Sequence, residues 1–558
     1  MNLNAAQFKR YKARISGLDQ EYNSFEAHHR ELAEYILPRL GRWLLSKTNE
    51  GGKKNGKIID NTGKLALRVL ASGMMSGLTS PARPWFNLES PNPEVQEMQS
   101  VKLWLDTVKK RMNVVLTRSN IYDALPKIYA ELILFGQGPI ALFEDFEDVI
   151  FAQTFTQGEY RIGNNAKGVV NTFSRSYRKT VSQVVEQFGI ENVSETVKSL
   201  YDKGSYDDWV DLYHLVEPNT GRDTTKQDAR NKPFRNVYWE QSSSSKVLKF
   251  GGFDEFPVFC PRWNLNDGDV YASDCPGMDA LGDVKQLQLH EKKASKAVEK
   301  MVDPSMVADP SLRNKHKSLM PGGVTYSAYV NGKPGFQSAH DVNLRINELE
   351  AKSAQIRERI NNAFYADLFL MLSQSDRRQI TAREVEERHE EKLLMLGPVL
   401  ERLNKDLLDP LIARTFNIMW RQGLIPEPPQ EIQGMDVKVE YVSILHQAQR
   451  SVGVSSLDRF MGFAGNIMQM NPGTRHKVNF DETVDQYGSM LGINPAIIRS
   501  DDEANELAAQ EAQAAQAQAA AERAKTMASA AKDVSGIKAD DDSIASNMVE
   551  SLSTNLPT

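Results

Sequence analysis

Apolar side chains recur every three or four residues over most of this chain, which predicts a mainly helical protein with one β-rich interruption. From Asn4 to Leu37, the residues Phe8, Tyr11, Ile15, Leu18, Tyr22, Phe25, Leu32 and Ile36 mark one face of a long helix that Pro38 ends. A polar Gly/Lys loop from Glu50 to Lys57 follows, and then Asp60 to Leu88, reading DNTGKLALRVLASGMMSGLTSPARPWFNL. Its first half predicts an amphipathic helix in which Leu65, Val69 and Met75 share a face with Leu67 and Leu70 nearby, with Ala, Ser and Gly at close-contact positions. Its second half cannot remain helical, because Pro81 and Pro84 fix φ, remove donors and restrict the residues before them. An exposed corner of Pro81, Arg83 and Pro84, anchored by Trp85, is the expected result. Two more helices are predicted from Glu94 to Leu116 and from Asn120 to Phe135, the latter closing at FGQGP.

Between Ile140 and Pro261 the period changes. Short β-branched and aromatic runs (IALF, VIFAQTF, EYRIG, VVNTFSRSY) are punctuated by Gly and Asn. A helix from Val181 to Phe188 interrupts them, and later strands are expected at Trp209–Val216, Asn236–Glu240 and Val247–Phe250. The fold class is therefore α+β, with an antiparallel sheet set into a mainly helical chain.

Helical spacing returns after Trp263. Asp279 to Val302 carries Leu281, Val284, Leu287, His290, Ala294, Ala297 and Met301 on one stripe. A Pro/Gly-dense stretch without helical period follows and reads as a compact loop-and-strand insertion. Asp341 to Leu372 predicts a second long helix, with Ile346, Leu349, Ile356, Ile360, Phe364 and Leu368 along one face, spanning roughly 48 Å. The polar gap SQSDRRQI separates it from a third helix, Thr381 to Arg421, which Gly397 and Pro398 should bend. Long helices with such narrow apolar stripes need neighbours, which suggests a ring of identical subunits. VKVEYVSIL, beyond the PEPP turn, predicts a strand leading into a helix from Ser443, and several helices follow to Ile498. Glu503 to Lys532 is Ala/Gln/Glu-rich and helix-forming but nearly free of large apolar groups, and the acidic, Ser/Asn/Thr-containing end reads as disordered.

Composition narrows the chemistry. At 558 residues several lobes are expected. The net charge of -6 and pI near 6.0 argue against a protein that grips nucleic acid tightly. Cys260 and Cys275 are too few for a disulfide framework or a four-cysteine zinc site and read as two reduced thiols. No basic, apolar leader begins the sequence and no run of about 18 apolar residues exists, so neither a secretory signal nor a membrane span is expected, and assembly in a cytoplasm is.

No motif carries a catalytic signal. GGKKNGKI (Gly51 to Ile58) fits the glycine-lysine part of a phosphate-binding loop, yet Ile58 stands where Ser or Thr must hold magnesium and no apolar strand precedes it. HEEK at His389 lacks the second histidine of a zincin, and the glutamates of that helix alternate with Arg383, Arg388 and Lys392 as on a salt-bridged face. No catalytic, cofactor or metal residue is assigned. Two clusters invite binding readings. The loop Ser373 to Ile380 holds Gln374, Asp376, Arg377, Arg378 and Gln379, either as a polar surface turn or, in a ring, as a projection into its channel where the arginines touch phosphates transiently. The insertion holds Arg313, Lys315, His316 and Lys317, a solvated loop or a patch facing an acidic partner.

The segments SGLTSPARPWF, FGQGPIALFED, FPVFCPRWNLNDGDVYASDCPGMDALGDVKQLQ, PGGVTY and TAREVEERHEEKLLMLGPVLERL, in this order, resemble the head-to-tail connector (portal) family of short-tailed bacteriophages from Asn4 to about Ile498. That resemblance implies a portal fold of wing, stem, clip and crown, assembled as a homo-oligomeric ring of twelve at one capsid vertex of the virion. It implies a wing over residues 1–278, stem helices at 279–302 and 341–372, and a clip at 303–340. A tunnel loop at 373–380, a kinked long helix and wing strand at 381–442, a crown at 443–502 and a helical and disordered tail at 503–558 complete it. Implied partners are double-stranded DNA in the channel, the terminase large subunit, major capsid and scaffolding proteins, and tail or adaptor proteins, with no membrane and no cofactor. Such a ring is a conduit for packaging and ejection and is not itself an enzyme. A packaging motor or nuclease would need the complete phosphate loop or carboxylate cluster that is missing here, and an adaptor ring would be much smaller.

Overall fold

A computed structural model describes residues 5–43, 56–302 (apart from 97, 227, 244 and 245), 346–369, 396–434, 438–441, 460–468 and 501–535, with short pieces of 306–338 and 478–483. Two compact units divide the chain, Met1–Gln449 and Arg450–Thr558.

The first unit begins with α1 (Ala5–Tyr35), whose apolar face feeds three cores in succession. Phe8, Tyr11 and Ile15 pack with Leu215, Val237 and Trp239. Tyr22 joins Phe155, Tyr160 and Tyr271, and Leu32, Ala33 and Ile36 enter the main helical core. A straight helix of 31 residues spans about 46 Å, enough to tie the sheet lobe to the helical one.

In α2 (Thr62–Leu78) the sequence-based face needs correcting. The buried residues are Gly63, Ala66, Leu67, Leu70, Ala71, Gly73, Met74 and Leu78, while Leu65 is 56% exposed and Val69 and Met75 are only half-buried. The 67-70-71-74-78 spacing continues one stripe, and Leu65 points away from it. Two glycines on this face admit neighbouring helices. A Cβ at Gly73 would lie 2.2 Å from Phe369 Cδ1, and one at Gly63 would lie 3.0 Å from Val284 Cγ2.

Pro81, Arg83 and Pro84 are exposed, and Trp85 is buried with its Nε1–H donating to the Tyr122 hydroxyl at 3.1 Å. The chain then runs into β1 (Phe86–Glu89), an element the sequence reading missed, which pairs antiparallel with the strand Lys438–Tyr441. The helix expected from Glu94 to Leu116 is two, α3 (Pro93–Gln96) and α4 (Gln99–Arg118), and α5 (Ile121–Phe135) ends at Gly136, whose φ of 77° stops it.

The β-rich region forms two antiparallel sheets. β2 (Ile140–Asp145) lies between β3 (Val149–Thr154) and the short β9 (Val258–Phe259). The larger sheet orders β4 (Tyr160–Asn164), β5 (Val170–Thr180), β6 (Trp209–Pro218), β7 (Phe234–Glu240) and β8 (Lys249–Phe253) as sequential neighbours. α6 (Val181–Phe188) matches its predicted span and starts at a reciprocal capping box between Thr180 and Gln183. α7 (Glu195–Asp202) was not foreseen, since only Val197 of its eight residues is buried and the apolar signal is correspondingly short.

α8 (Pro276–Val302) and α9 (Ile346–Ala363) form an antiparallel pair. Between them the described pieces are β10 (Met306–Ala308) pairing with β13 (Phe336–Ser338), and the small hairpin of β11 (Tyr329–Val330) and β12 (Lys333–Pro334). The second long helix is not continuous to Leu372. It breaks at Tyr365, which takes φ 51°, before residues 366–369 turn helical again. Residues 396–403 are helical through Gly397 and Pro398, a π-helical turn occupies Asn404–Leu408, and α10 (Asp409–Arg421) follows. That turn brings Asp406 to 3.4 Å from the buried Arg262, which also donates to the Gly168 carbonyl at 3.0 Å. β14 (Lys438–Tyr441) closes the pairing with β1.

In the second unit, residues 460–468 are helical and α11 (Asp501–Ser535) is an Ala/Gln-rich helix. Its described side chains are all exposed, as its lack of an apolar stripe requires.

Replacing Trp85 with Ala should cost about 3–5 kcal/mol, the range for deleting a buried aromatic side chain. Equilibrium denaturation measures it, and a loss below about 1 kcal/mol would show that the ring is not a core anchor.

Candidate functional site

The paired helices α8 and α9 are the element on which a conduit reading depends, and their burial is uneven. In α8 the buried residues are Pro276, Gly277, Ala280, Leu281, Val284, Leu287 and Gln288, and none follows. The stripe predicted to continue through Ala294, Ala297 and Met301 leaves Met301 exposed, with Leu289, Val298 and Val302 exposed beside it. In α9, Ile356, Ile360 and the following Phe364 are buried. The base of the pair is thus packed into the main core, while beyond Gln288 the stripe is only half-buried at His290, Ala294 and Ala297 and is exposed at Met301.

Polar groups lock this base. Gln288, on the apolar face of α8, accepts from the Ile59 and Asp60 amides at 2.6 and 2.9 Å and donates to the Asp60 carbonyl at 2.8 Å. The Asp60 carboxylate accepts from the Thr62 amide at 2.7 Å and from the Thr62 hydroxyl, and so satisfies the first amide of α2. Its other oxygen receives Arg357 Nε at 3.0 Å, while Arg357 also reaches Glu291 at 2.7 Å. Burial pushes the Asp60 carboxyl up, but the Thr62 hydrogen bonds and the Arg357 guanidinium outweigh it, so its pKa lies below the ordinary carboxylate value. Arg359 pairs with Asp283 at 2.7 Å, which together with Arg357–Glu291 sets the antiparallel register of the two helices. Lys285 binds Glu31 of α1 at 2.6 Å. Lys57, the lysine of the apparent phosphate loop, binds Glu34 at 2.5 Å and so serves as a tether.

Near the start of α8 a carboxyl pair adds a titratable element. Burial, and then the neighbouring Asp274 carboxylate, push Asp279 up to about 6, and both acids bear on Tyr365 at the break after α9.

Of the residues singled out by sequence, Gln374, Asp376, Arg377, Arg378 and Gln379 lie outside the described residues, as do Lys315, His316 and Lys317. Arg313 is described in an exposed turn, its amide donating to the Pro310 carbonyl at 3.1 Å. The Asp60–Gln288–Arg357 lock was missed. The available signal was a glutamine one turn beyond Val284, on a stripe that should hold only apolar side chains. Among the described residues no group of three or more His, Cys, Asp or Glu could hold a metal. Burial pushes the thiols of Cys260 and Cys275 up to about 12, which makes them inert as nucleophiles at neutral pH.

Residues 9–498 match the family model described as bacteriophage head to tail connecting protein. The chain belongs to this family. It is 45% identical over 527 residues to the portal protein of Salmonella phage epsilon15, covering 93% of this chain and 95% of that relative. It is 43% identical over 487 residues to a probable portal protein of Bordetella phage BPP-1, covering 87% and 88%. Two solved assemblies, a native gene transfer agent virion and the neck of an empty gene transfer agent particle, align over 71% and 75% of the chain at 12% and 10% identity. Their TM-scores are 0.32 and 0.31. The connector is therefore a structural component of a phage virion at a capsid vertex, and not an enzyme. No described helix of the connector is long and apolar enough to cross a membrane.

Replacing Gln288 with Ala strands two amides and a carbonyl and should cost about 2–3 kcal/mol. Hydrogen exchange should quicken in α8 and α9 before it does in the β4–β8 sheet, and unchanged protection in the two helices would show that the lock does not hold their base.

Proposed function

We propose that this connector assembles as a ring of twelve copies around a channel, through which double-stranded DNA is driven in by terminase and later leaves. In this reading residues 1–278 form the wing, 279–302 and 341–372 the stem, and 303–340 the clip that faces terminase and then tail or adaptor proteins. Residues 373–380 form the loop that touches passing DNA. The segment 381–442 returns to the wing, 443–502 forms the crown, and 503–558 the tail. Major capsid and scaffolding proteins surround the wing.

The observation that supports this most directly is the uneven burial of α8. Its first half is packed into the core and bound to α1, α2 and α9, whereas Leu289, Val298, Met301 and Val302 beyond it are left to solvent in one copy. Neighbouring copies would cover such a face, and closed rings arise from head-to-tail contacts of this kind. The relatives at 45% and 43% identity, both named portal proteins, support the same role. A brief contact of Arg377 and Arg378 with phosphates, offset by Asp376, fits a chain whose net charge of -6 disfavours tight adhesion to DNA.

Negative-stain images of the purified protein should show annular particles, and a monodisperse monomer would defeat the ring. Replacing Arg377 and Arg378 together with Ala should leave rings intact and reduce DNA packaged or retained per particle. Equal filling and retention in mutant and wild type would remove the loop from the channel.

A further inference from the structure

The β2–β3 hairpin ends in a side chain that the single molecule gives no use. Phe146, at the tip, is 106% exposed, the most exposed large apolar side chain among those described. The tip is built rather than loose. Asp145 Oδ2 accepts from the amides of Glu147 and Asp148 at 3.0 and 2.9 Å, and Asp145 still pairs with Val149 across the ladder. Val149 takes φ 70°, a left-handed conformation that a β-branched residue adopts only at a cost. Arg421 grips Glu144 at 2.5 Å, and Arg118 lies 3.8 Å from Asp148. Four acidic residues, Glu144, Asp145, Glu147 and Asp148, flank Phe146 along the chain.

Elsewhere on the same unit lies a groove of about 520 Å³ between the first turns of α4 and the PEPP segment. Leu103, Trp104, Pro426 and Pro429 line it, with Ser100 and Thr107 on its polar edge. Leu103 is 69% exposed, and Trp104 is held as a wall by its Nε1–H bond to the Pro426 carbonyl at 3.0 Å. α4 itself carries five basic residues and one acid, Lys102, Lys109, Lys110, Arg111 and Arg118 against Asp106. An exposed aromatic side chain on an acidic tip, the knob, and an apolar groove on a basic helix are complementary in polarity and in sign.

A molecule cannot fill its own groove. The knob sits at the carboxyl end of α4, beside Arg118, and the groove ends at Thr107, about 16 Å back along that helix. We propose that Phe146 of one copy seats in the Leu103–Trp104 groove of the next. Knob and groove are different patches of one chain, so the contact is head-to-tail and repeats until the ring closes. The proposal rests on the ring reading and adds the surface through which neighbouring wings engage.

Cysteines placed at both ends test it, because Cys260 and Cys275 are buried and do not compete. The full-length double variant Glu147→Cys, Ser100→Cys, which keeps the Phe146 ring and is oxidised after assembly, should give a ladder of covalent oligomers on denaturing gels, and each single variant should give none. In parallel, Phe146→Asp and Leu103→Asp should each lose rings, and an equimolar mixture should yield heterodimers, since one intact knob meets one intact groove and the next contact is dead. Rings visible in the images without the ladder, and rings that persist in both Asp variants, overturn the contact while leaving the ring standing, and would assign knob and groove to another protein. Absence of rings in the wild type overturns both.

Discussion

The closeness with which α8 and the helical turn 366–369 beyond α9 approach α2 is the constraint on which the rest of this connector depends. Gly63 and Gly73 remove the side chains that would hold the helices apart, and Phe369 and Val284 occupy the space. A methyl group at Gly73 would overlap the Phe369 ring, and overpacking of this kind typically costs about 1–3 kcal/mol. Because the approach is that close, the start of α2 meets the side chains of both stem candidates, and Asp60 can be shared by Gln288 of α8 and Arg357 of α9. The position of the pair is set by backbone proximity first and by polar contacts second.

Magnitudes support that order. Arg357, Arg359 and Lys285 each keep more than a third of the side chain exposed, and ion pairs of that kind contribute about 0–1 kcal/mol. Apolar burial at the base is worth roughly 1.5–3 kcal/mol for each side chain such as Leu281, Val284, Leu287, Ile356 or Ile360. The ion pairs select register and orientation, and the core supplies the strength. Beyond Gln288 no side chain of α8 is fully buried and Leu289, Val298, Met301 and Val302 are exposed, so the outer half of α8 is where assembly has most to add.

The modest net charge of -6 conceals separation of charge. The β2–β3 tip is acidic, α4 is basic, and the outer part of α8 carries Lys292, Lys293, Lys296 and Lys300 against Glu291 and Glu299. Such separation steers identical copies toward one mutual orientation and discourages others, which suits a part that must meet copies of itself in a fixed order.

Helical period and proline placement in the sequence determined where α1, α5, α6 and α8 run, because apolar side chains recur at helical spacing in each and Pro38, Gly136 and the Thr180 cap mark ends that local chemistry dictates. The strands of the sheet lobe and the anchoring role of Trp85 were legible for the same reason, since alternation and a proline corner are local signals. Tertiary structure alone decided the pairing of β1 with β14, which joins distant parts of the first unit through four residues too few to show a period. It decided which face of α2 is buried, because Leu65 and Leu67 are equally apolar and only the arrival of α5, α8 and α9 distinguishes them. It also decided the break at Tyr365 and the lock on Asp60, since a strained φ and a buried glutamine acquire meaning only from partners brought from far along the chain.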